Sequence, residues 1–259
     1  MKRKSFKGGA LTAPVPAAIV TVGDMERCGM LTVSWTGILS TVPPKTYVSI
    51  RPQRNSYSIL KESGEFVVNL PSADMARVVD YIGIYTGKKV DKFEKCALTK
   101  IGSKCVGAPT VAECPIALEC VVTEIIPMGS HDVFVADIVN VTAREELVDE
   151  DGKIRFDKAN LLAYAHGEYF ALGEKVGKFG FSTDKAHEKK SEKLPENKTV
   201  KAAEKKSEKV FKKSECGTKE REPFYLGAPR KRGTAASKSK NKDKGRPHGK
   251  RAKRTKEVK

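Results

Sequence analysis

Paired cysteines, nucleotide-binding glycine fingerprints and long apolar runs are all missing from this chain of 259 residues. The six cysteines (Cys28, Cys96, Cys105, Cys114, Cys120 and Cys216) include no CxxC pair. That excludes the zinc-ribbon and common cluster spacings and leaves no metal site to predict. No GxGxxG follows a strand-like run and no GxxxxGK[ST] occurs, so a phosphorylated cofactor would have to be held by another route. No segment has the roughly 20 apolar residues of a membrane span, and Met1-Lys2-Arg3-Lys4 does not lead into an apolar signal core. Together these absences predict a soluble, cytoplasmic protein with free thiols. One alternative stays open for Cys114 and Cys120, which lie six apart on a strand-like segment and would share a face as a redox pair. No Ser-His-Asp or Cys-His pattern stands at a recognisable motif position, so nothing points to a covalent nucleophile.

Acidic residues are scarce at one end only. Residues 183–259 hold 27 Lys+Arg against 11 Asp+Glu, a net of +16, whereas residues 1–182 hold 22 against 21. The chain therefore reads as a nearly neutral domain, 1–182, followed by a basic tail, 183–259. The domain is long enough to bury one ordinary core. The tail has too few apolar residues to offset the entropy of ordering and is expected to be disordered. Within it EKKSEK occurs twice, at Glu188–Lys193 and Glu204–Lys209, and past Pro223 basic clusters such as Arg230-Lys231-Arg232 take over. Such a segment attracts polyanions in a strongly salt-dependent way. Its aromatics are few (Phe211, Phe224 and Tyr225), so no base selectivity is expected. A nucleic acid, an acidic electron-transfer protein and no dedicated partner at all are the three readings it leaves.

The domain is rich in β-branched runs punctuated by Gly and Pro. Strands are predicted at 17–22, 30–40, 46–51, 65–70, 116–126 and 133–141. Alternation along the second of these would put Thr32, Ser34 and Thr36 on one face and Val33 and Trp35 on the other. Helices are predicted at 55–63, starting from Asn55 as N-cap, and at 72–82, starting from Ser72. Many strands with two or three short helices do not have the βαβ rhythm of a parallel sheet. The fold class is therefore mainly β, a closed or partly closed antiparallel barrel.

Four segments carry possible chemistry. In Ser49-Ile50-Arg51-Pro52-Gln53-Arg54-Asn55-Ser56-Tyr57 a strand runs through a proline turn into a helix. Two guanidiniums, two hydroxyls and the free N–H groups of a helix start converge there, which suits a phosphate monoester. A solvated turn would carry the same residues. Tyr85-Thr86-Gly87-Lys88-Lys89-Val90-Asp91-Lys92-Phe93 offers further cationic donors or an exposed charged loop. Gly129-Ser130-His131 puts a histidine in the turn before a strand, and Tyr164-Ala165-His166-Gly167-Glu168-Tyr169 precedes a glycine-spaced segment that would admit a flat ligand or simply end the barrel.

Taken in order, 14–21, 30–37, 49–57, Glu65-Phe66-Val67-Val68-Asn69-Leu70-Pro71, 87–93 and 129–131 closely resemble the flavin reductase-like family, most of all its flavoredoxin branch. The resemblance spans residues 10–182 and leaves out the tail. It implies an FMN-binding split β-barrel of Greek-key type, a homodimer, and an oxidoreductase that passes electrons from NAD(P)H through FMN to an acceptor. The alternatives are an FMN electron carrier fed by a protein partner, and a polyanion-binding module in which the tail is the active part. Carried over by the resemblance, Thr32, Val33, Ser34, Trp35 and Thr36 line the isoalloxazine. Arg51, Arg54, Asn55, Ser56 and Tyr57 hold the phosphate end, with Lys88, Lys89 or Lys92. His131 sits on the nicotinamide side, and His166 lies near the cofactor. The family's Gly-Asp-His turn here has Ser130 in its middle place.

Overall fold

The computed structural model describes residues 1–183; the basic tail and its expected disorder lie outside the described residues. In chain order the strands and helices are β1 (Val15–Pro16), β2 (Ala18–Gly23), β3 (Cys28–Val33), β4 (Thr36–Thr41), β5 (Pro44–Ile50), α1 (Asn55–Ser63), β6 (Glu65–Leu70), α2 (Ala76–Ile84) and α3 (Lys92–Lys95). They continue with β7 (Lys100–Ile101), β8 (Thr110–Val111), β9 (Ile116–Pro127), β10 (Asp132–Ala143), β11 (Leu162–Ala165) and β12 (Glu168–Ala171). Seven strands form one antiparallel sheet in the order β3-β2-β6-β9-β10-β5-β4. Its first and last strands, β3 and β4, are consecutive in the chain with only Ser34 and Trp35 between them. The two edges must therefore meet, and the sheet curls into a barrel split at that junction. The Ser49 N–H donates to the Trp35 carbonyl at 3.0 Å and fastens the junction to β5.

Apolar alternation fills the barrel. Ala18, Val20 and Val22 of β2 pack with Leu31, Val48, Ile50, Phe66, Val68, Cys120, Val122 and Phe134 in one cluster. On the opposite face, Ile19 of β2 and the preceding Ala17 join Val79 and Ile82 of α2 and Phe93 of α3 in a second cluster. Because β2 is covered on both faces it is buried along Ala18–Val22, with Thr21 as its one polar side chain. Gly64, at φ 66°, ends α1 in the left-handed conformation and donates its N–H to Leu60 O at 2.8 Å. That reversal lets β6 start one residue later.

Several expectations need correcting. Residues 30–40 are two strands, because the chain crosses the split at Ser34-Trp35, so the alternation of Thr32, Ser34 and Thr36 is broken. Arg54 rather than Asn55 is the N-cap of α1. The helix expected from Ser72 begins as a 3-10 turn (Ala73–Met75) and becomes α-helical at Ala76. Not all thiols are free: Cys105 is disulfide-bonded, while Cys28, Cys96, Cys114 and Cys120 are free and Cys216 lies outside the described residues. Cys114 and Cys120 do not share a face. They belong to different core clusters, and burial pushes both thiols well above the ordinary range. Among the described residues no helix is long and apolar enough to cross a membrane.

Candidate functional site

Where β5 ends, Ile50 is buried and Arg51 emerges. The turn to α1 is closed by the Arg54 N–H on Arg51 O at 3.0 Å, which brings two guanidiniums to one corner. Arg54 Nη1 donates to Gly83 O at 2.9 Å, in the last turn of α2. A second cation reaches the same helix end: Lys92 Nζ donates to Ile82 O at 2.7 Å and to Met30 O of β3 at 3.0 Å. Positive groups at a helix C-terminus meet its partial negative charge. Their placement also ties α1, α2, α3 and β3 together around one hollow. Gly29 makes room for this corner, since a Cβ there would lie 2.8 Å from Ser56 Oγ.

That hollow measures about 360 Å³ and is lined by Arg51, Gln53, Arg54, Asn55, Ser56, Lys92 and the backbone-rich Tyr85-Thr86-Gly87 segment. A second, of about 320 Å³, is lined by Thr32, Val33, Ser34, Trp35, Ser49, Arg51, Arg54, His131 and Tyr164. Leu31, Arg51 and Arg54 line both, so the two form one cleft with a cationic end and a flatter, aromatic end. Among the described residues no carboxylate lines either part. A larger cavity, about 570 Å³, lies around Asp149–Asn160 and Leu172–Lys175; there Arg155 and Asp157 pair with each other, so it lacks the convergent unpaired charge of the cleft.

The charge imbalance shows in the titrating groups. Burial, and then the positive Arg54, push Lys92 down to about 8. Burial, and then Arg51, hold His131 below its ordinary value. Arg51 Nε donates to His131 Nε2 at 3.4 Å, which puts the imidazole proton on Nδ1, 2.9 Å from Ser130 Oγ. The residues fit a flat, anionic ligand. Three cations and the first turn of α1 face one end, and an added anion would relieve the electrostatic strain on Lys92.

Most of the expected site residues converge here, and five do not line the cleft. Thr36 Oγ1 donates to Tyr47 O inside the sheet at 2.6 Å. Tyr57 turns toward the core, edge-on to Phe134, and its hydroxyl donates to Asp132 Oδ2 at 2.5 Å; burial, and then this bond to Asp132, raise it to about 12. Lys88 and Lys89 are exposed beyond the rim. His166 sits exposed at the tip of the β11–β12 hairpin, at φ 48°. Thr32 lines the cleft, but its hydroxyl is already donated to Val79 O at 2.5 Å. Tyr164 and Gln53 were missed. Tyr164 stands two residues before His166 on β11, and it is this aromatic that reaches the cleft.

Residues 11–173 match the family described as the flavin reductase like domain. The fold is similar to the flavoredoxin of Desulfovibrio vulgaris (Miyazaki F), with a TM-score of 0.66 and 31% identity over 71% of this chain and all of that one. An FMN-binding protein from Thermus thermophilus, solved with bound 1-cyclohex-2-enone, gives a TM-score of 0.58 and 27% identity over 69% of this chain and 97% of that one. By sequence, 146 residues are 25% identical to an NADH-dependent FAD reductase of Streptomyces globisporus, covering 55% of this chain and 79% of that protein.

Proposed function

We propose a flavin-dependent oxidoreductase, on the premise that this chain belongs to the flavin reductase-like family. The ligand of the cleft is FMN, its phosphate among Arg51, Arg54 and Lys92 and its ring system along Thr32–Trp35 and Tyr164. The observation that carries this is a cleft lined by three cations and, among the described residues, no carboxylate, next to an aromatic end. Electrons pass from NAD(P)H to an acceptor. A carrier fed by a protein is the second reading, favoured by Ser130 where the family turn has Asp and by the likeness to a flavoredoxin.

Bound FMN supplies two-electron chemistry; the chain supplies position and charge. Arg51 and Arg54 present forked donors to a phosphate dianion, and Arg54 is held in place by Gly83 O. Lys92 adds a third charge from below, fixed by two carbonyls. Tyr164 and Trp35 wall the aromatic end and offer ring surface to the flavin. His131, neutral at pH 7 with its proton on Nδ1, offers an orienting edge to a nicotinamide without adding charge beside Arg51.

An anaerobic titration tests this directly. The protein should take up FMN, and the flavin bands should bleach with NADH or NADPH; bleaching only with dithionite supports the protein-fed carrier. Arg54→Ala should weaken FMN by about 10- to 100-fold, the loss of one charge-assisted pair, and leave riboflavin, which has no phosphate, within about threefold. Equal losses for both ligands would refute the phosphate assignment.

A further inference from the structure

Among the described residues that line the aromatic end of the cleft, Tyr164 alone comes from outside the barrel sheet and its connections; it lies on β11, in the separate sheet β1-β11-β12. That sheet is fastened at its base. Leu162 N–H donates to Pro71 O at 3.0 Å, and Ala73 N–H to Asn160 O at 2.7 Å. Farther out, β1 pairs with Ala163 and Tyr164, but Pro16 has no N–H to give. Beyond Tyr164 the chain reverses through His166-Gly167, at φ 48° and 92°, the backbone of a tight two-residue hairpin. The outer half of the hairpin is thus held by little backbone besides its own ladder.

One side chain supplies what the backbone lacks. Tyr169 Oη donates to Asp80 Oδ1 of α2 at 3.1 Å, and among the described residues this is the one side-chain hydrogen bond between the hairpin and α2. Tyr169 stands directly opposite Tyr164 in the ladder, so the two rings share a face. Their centroids are 5.6 Å apart at 61°, edge to face. Asp80 therefore fixes Tyr169, and Tyr169 backs the ring that reaches the cleft. Burial, and then Asp80, raise the Tyr169 phenol to about 12, so it remains a donor at neutral pH.

The helix at the other end of this bond is the frame of the whole cleft. Val79 O accepts the Thr32 hydroxyl, Ile82 O the Lys92 ammonium and Gly83 O the Arg54 guanidinium. A Cβ on Gly83 would lie 3.4 Å from Thr32 Cβ, so α2 is pressed against β3. The cations of one end and the movable wall of the other are referred to the same nine residues, Ala76–Ile84.

We propose that Asp80 and Tyr169 are positioning residues for the flavin ring: their hydrogen bond holds the β11–β12 hairpin to α2 and sets Tyr164 against the isoalloxazine. The inference rests on the reading of the cleft as a flavin site. It differs from the role of Arg54 in which ligands it affects. Arg54 acts on the phosphate, whereas this latch acts on the ring and must affect FMN and riboflavin alike.

Tyr169→Phe keeps the ring and removes the donor; Asp80→Ala removes the acceptor. By fluorescence titration each should raise the dissociation constants of FMN and riboflavin by the same factor, ~3- to 10-fold, as for loss of one charge-assisted bond. The double variant should be no worse than either single one, because both remove one interaction. In a Tyr164→Ala background, Tyr169→Phe should change neither constant. A second readout needs no ligand: with Tyr164→3-fluorotyrosine in the full chain, the ¹⁹F resonance should be single and narrow, and should broaden or split in Tyr169→Phe and in Asp80→Ala. Unchanged constants, a loss confined to FMN, a loss that persists without Tyr164, or an unaltered resonance would each overturn the proposal. A wild-type protein that takes up neither flavin would instead refute the flavin reading, and the resonance would still decide whether the latch holds Tyr164.

Discussion

Lys92 concentrates the physics of the cleft in one side chain. It is 6% exposed, yet its ammonium has two carbonyl partners and a guanidinium nearby. Desolvation comes first among the causes that bring it to about 8, with Arg54 second. An unfolded lysine titrates at about 10.4, so between about 8 and 10.4 the unfolded chain binds more protons than the folded one. The ligand-free protein should therefore gain stability as pH rises through that window. FMN affinity should move the opposite way, because a phosphate dianion prefers the charged ammonium. We expect the FMN dissociation constant to rise as pH passes 8, the riboflavin constant to stay flat, and Lys92→Met to abolish the step. Fluorescence titration from pH 7 to 10 measures all three. A step that survives in the Met variant would assign it to another group.

At the scale of elements, the cleft exists because separate segments are locked to one another by buried polar side chains. Asn69 of β6 is fully buried; its Nδ2 donates to Ile19 O and Thr21 Oγ1, and its Oδ1 accepts the Val111 N–H at 2.9 Å. Thr21 in turn donates to Pro109 O at 2.5 Å. These bonds pin the 109–111 segment against the barrel. Asn69→Leu should cost about 3 kcal/mol by urea denaturation, since the Val111 N–H is left buried without a partner. Adding Thr21→Val should cost less than the sum of the two single changes, because they share a bond; full additivity would mean the network is not one unit. Elements of this kind were legible in the sequence where one force dominated. The helix 55–63 and the strand 65–70 fall at their observed ends, because Gly64 admits the left-handed turn and Phe66-Val67-Val68 supplies a β-branched apolar run directly after it. The break at Ser34-Trp35 was not legible, since small hydroxyl and apolar residues suit a continuing strand as well as a crossing. Nor could sequence tell Arg51 and Arg54, which face the cleft, from Tyr57, one helical turn on, whose partner Asp132 lies 75 residues away.

For the whole molecule, the division of charge predicts two separable behaviours. Residues 1–182 have nearly balanced charge and include the cleft cations, whereas the net of +16 belongs to 183–259. Flavin binding is a local matter of a few fixed donors and should survive removal of the tail. Binding to polyanions is a counterion-release effect that scales with the number of phosphates neutralised. The full chain should thus bind RNA or heparin with an affinity that falls about 10³- to 10⁵-fold between 50 and 200 mM salt if roughly 6–10 contacts form. A chain ending at residue 183 should lose that binding and keep its FMN spectrum. Titrating both forms with FMN and with a single-stranded RNA across a salt series separates the possibilities. If the shortened protein loses its flavin, the tail supports the cleft and the two-part reading of the chain fails. If it retains RNA affinity, cations within 1–183 are responsible, and competition between RNA and FMN would assign the binding to Arg51, Arg54 and their neighbours, whereas its absence would assign it to others such as Lys2, Arg3, Lys4 and Lys7.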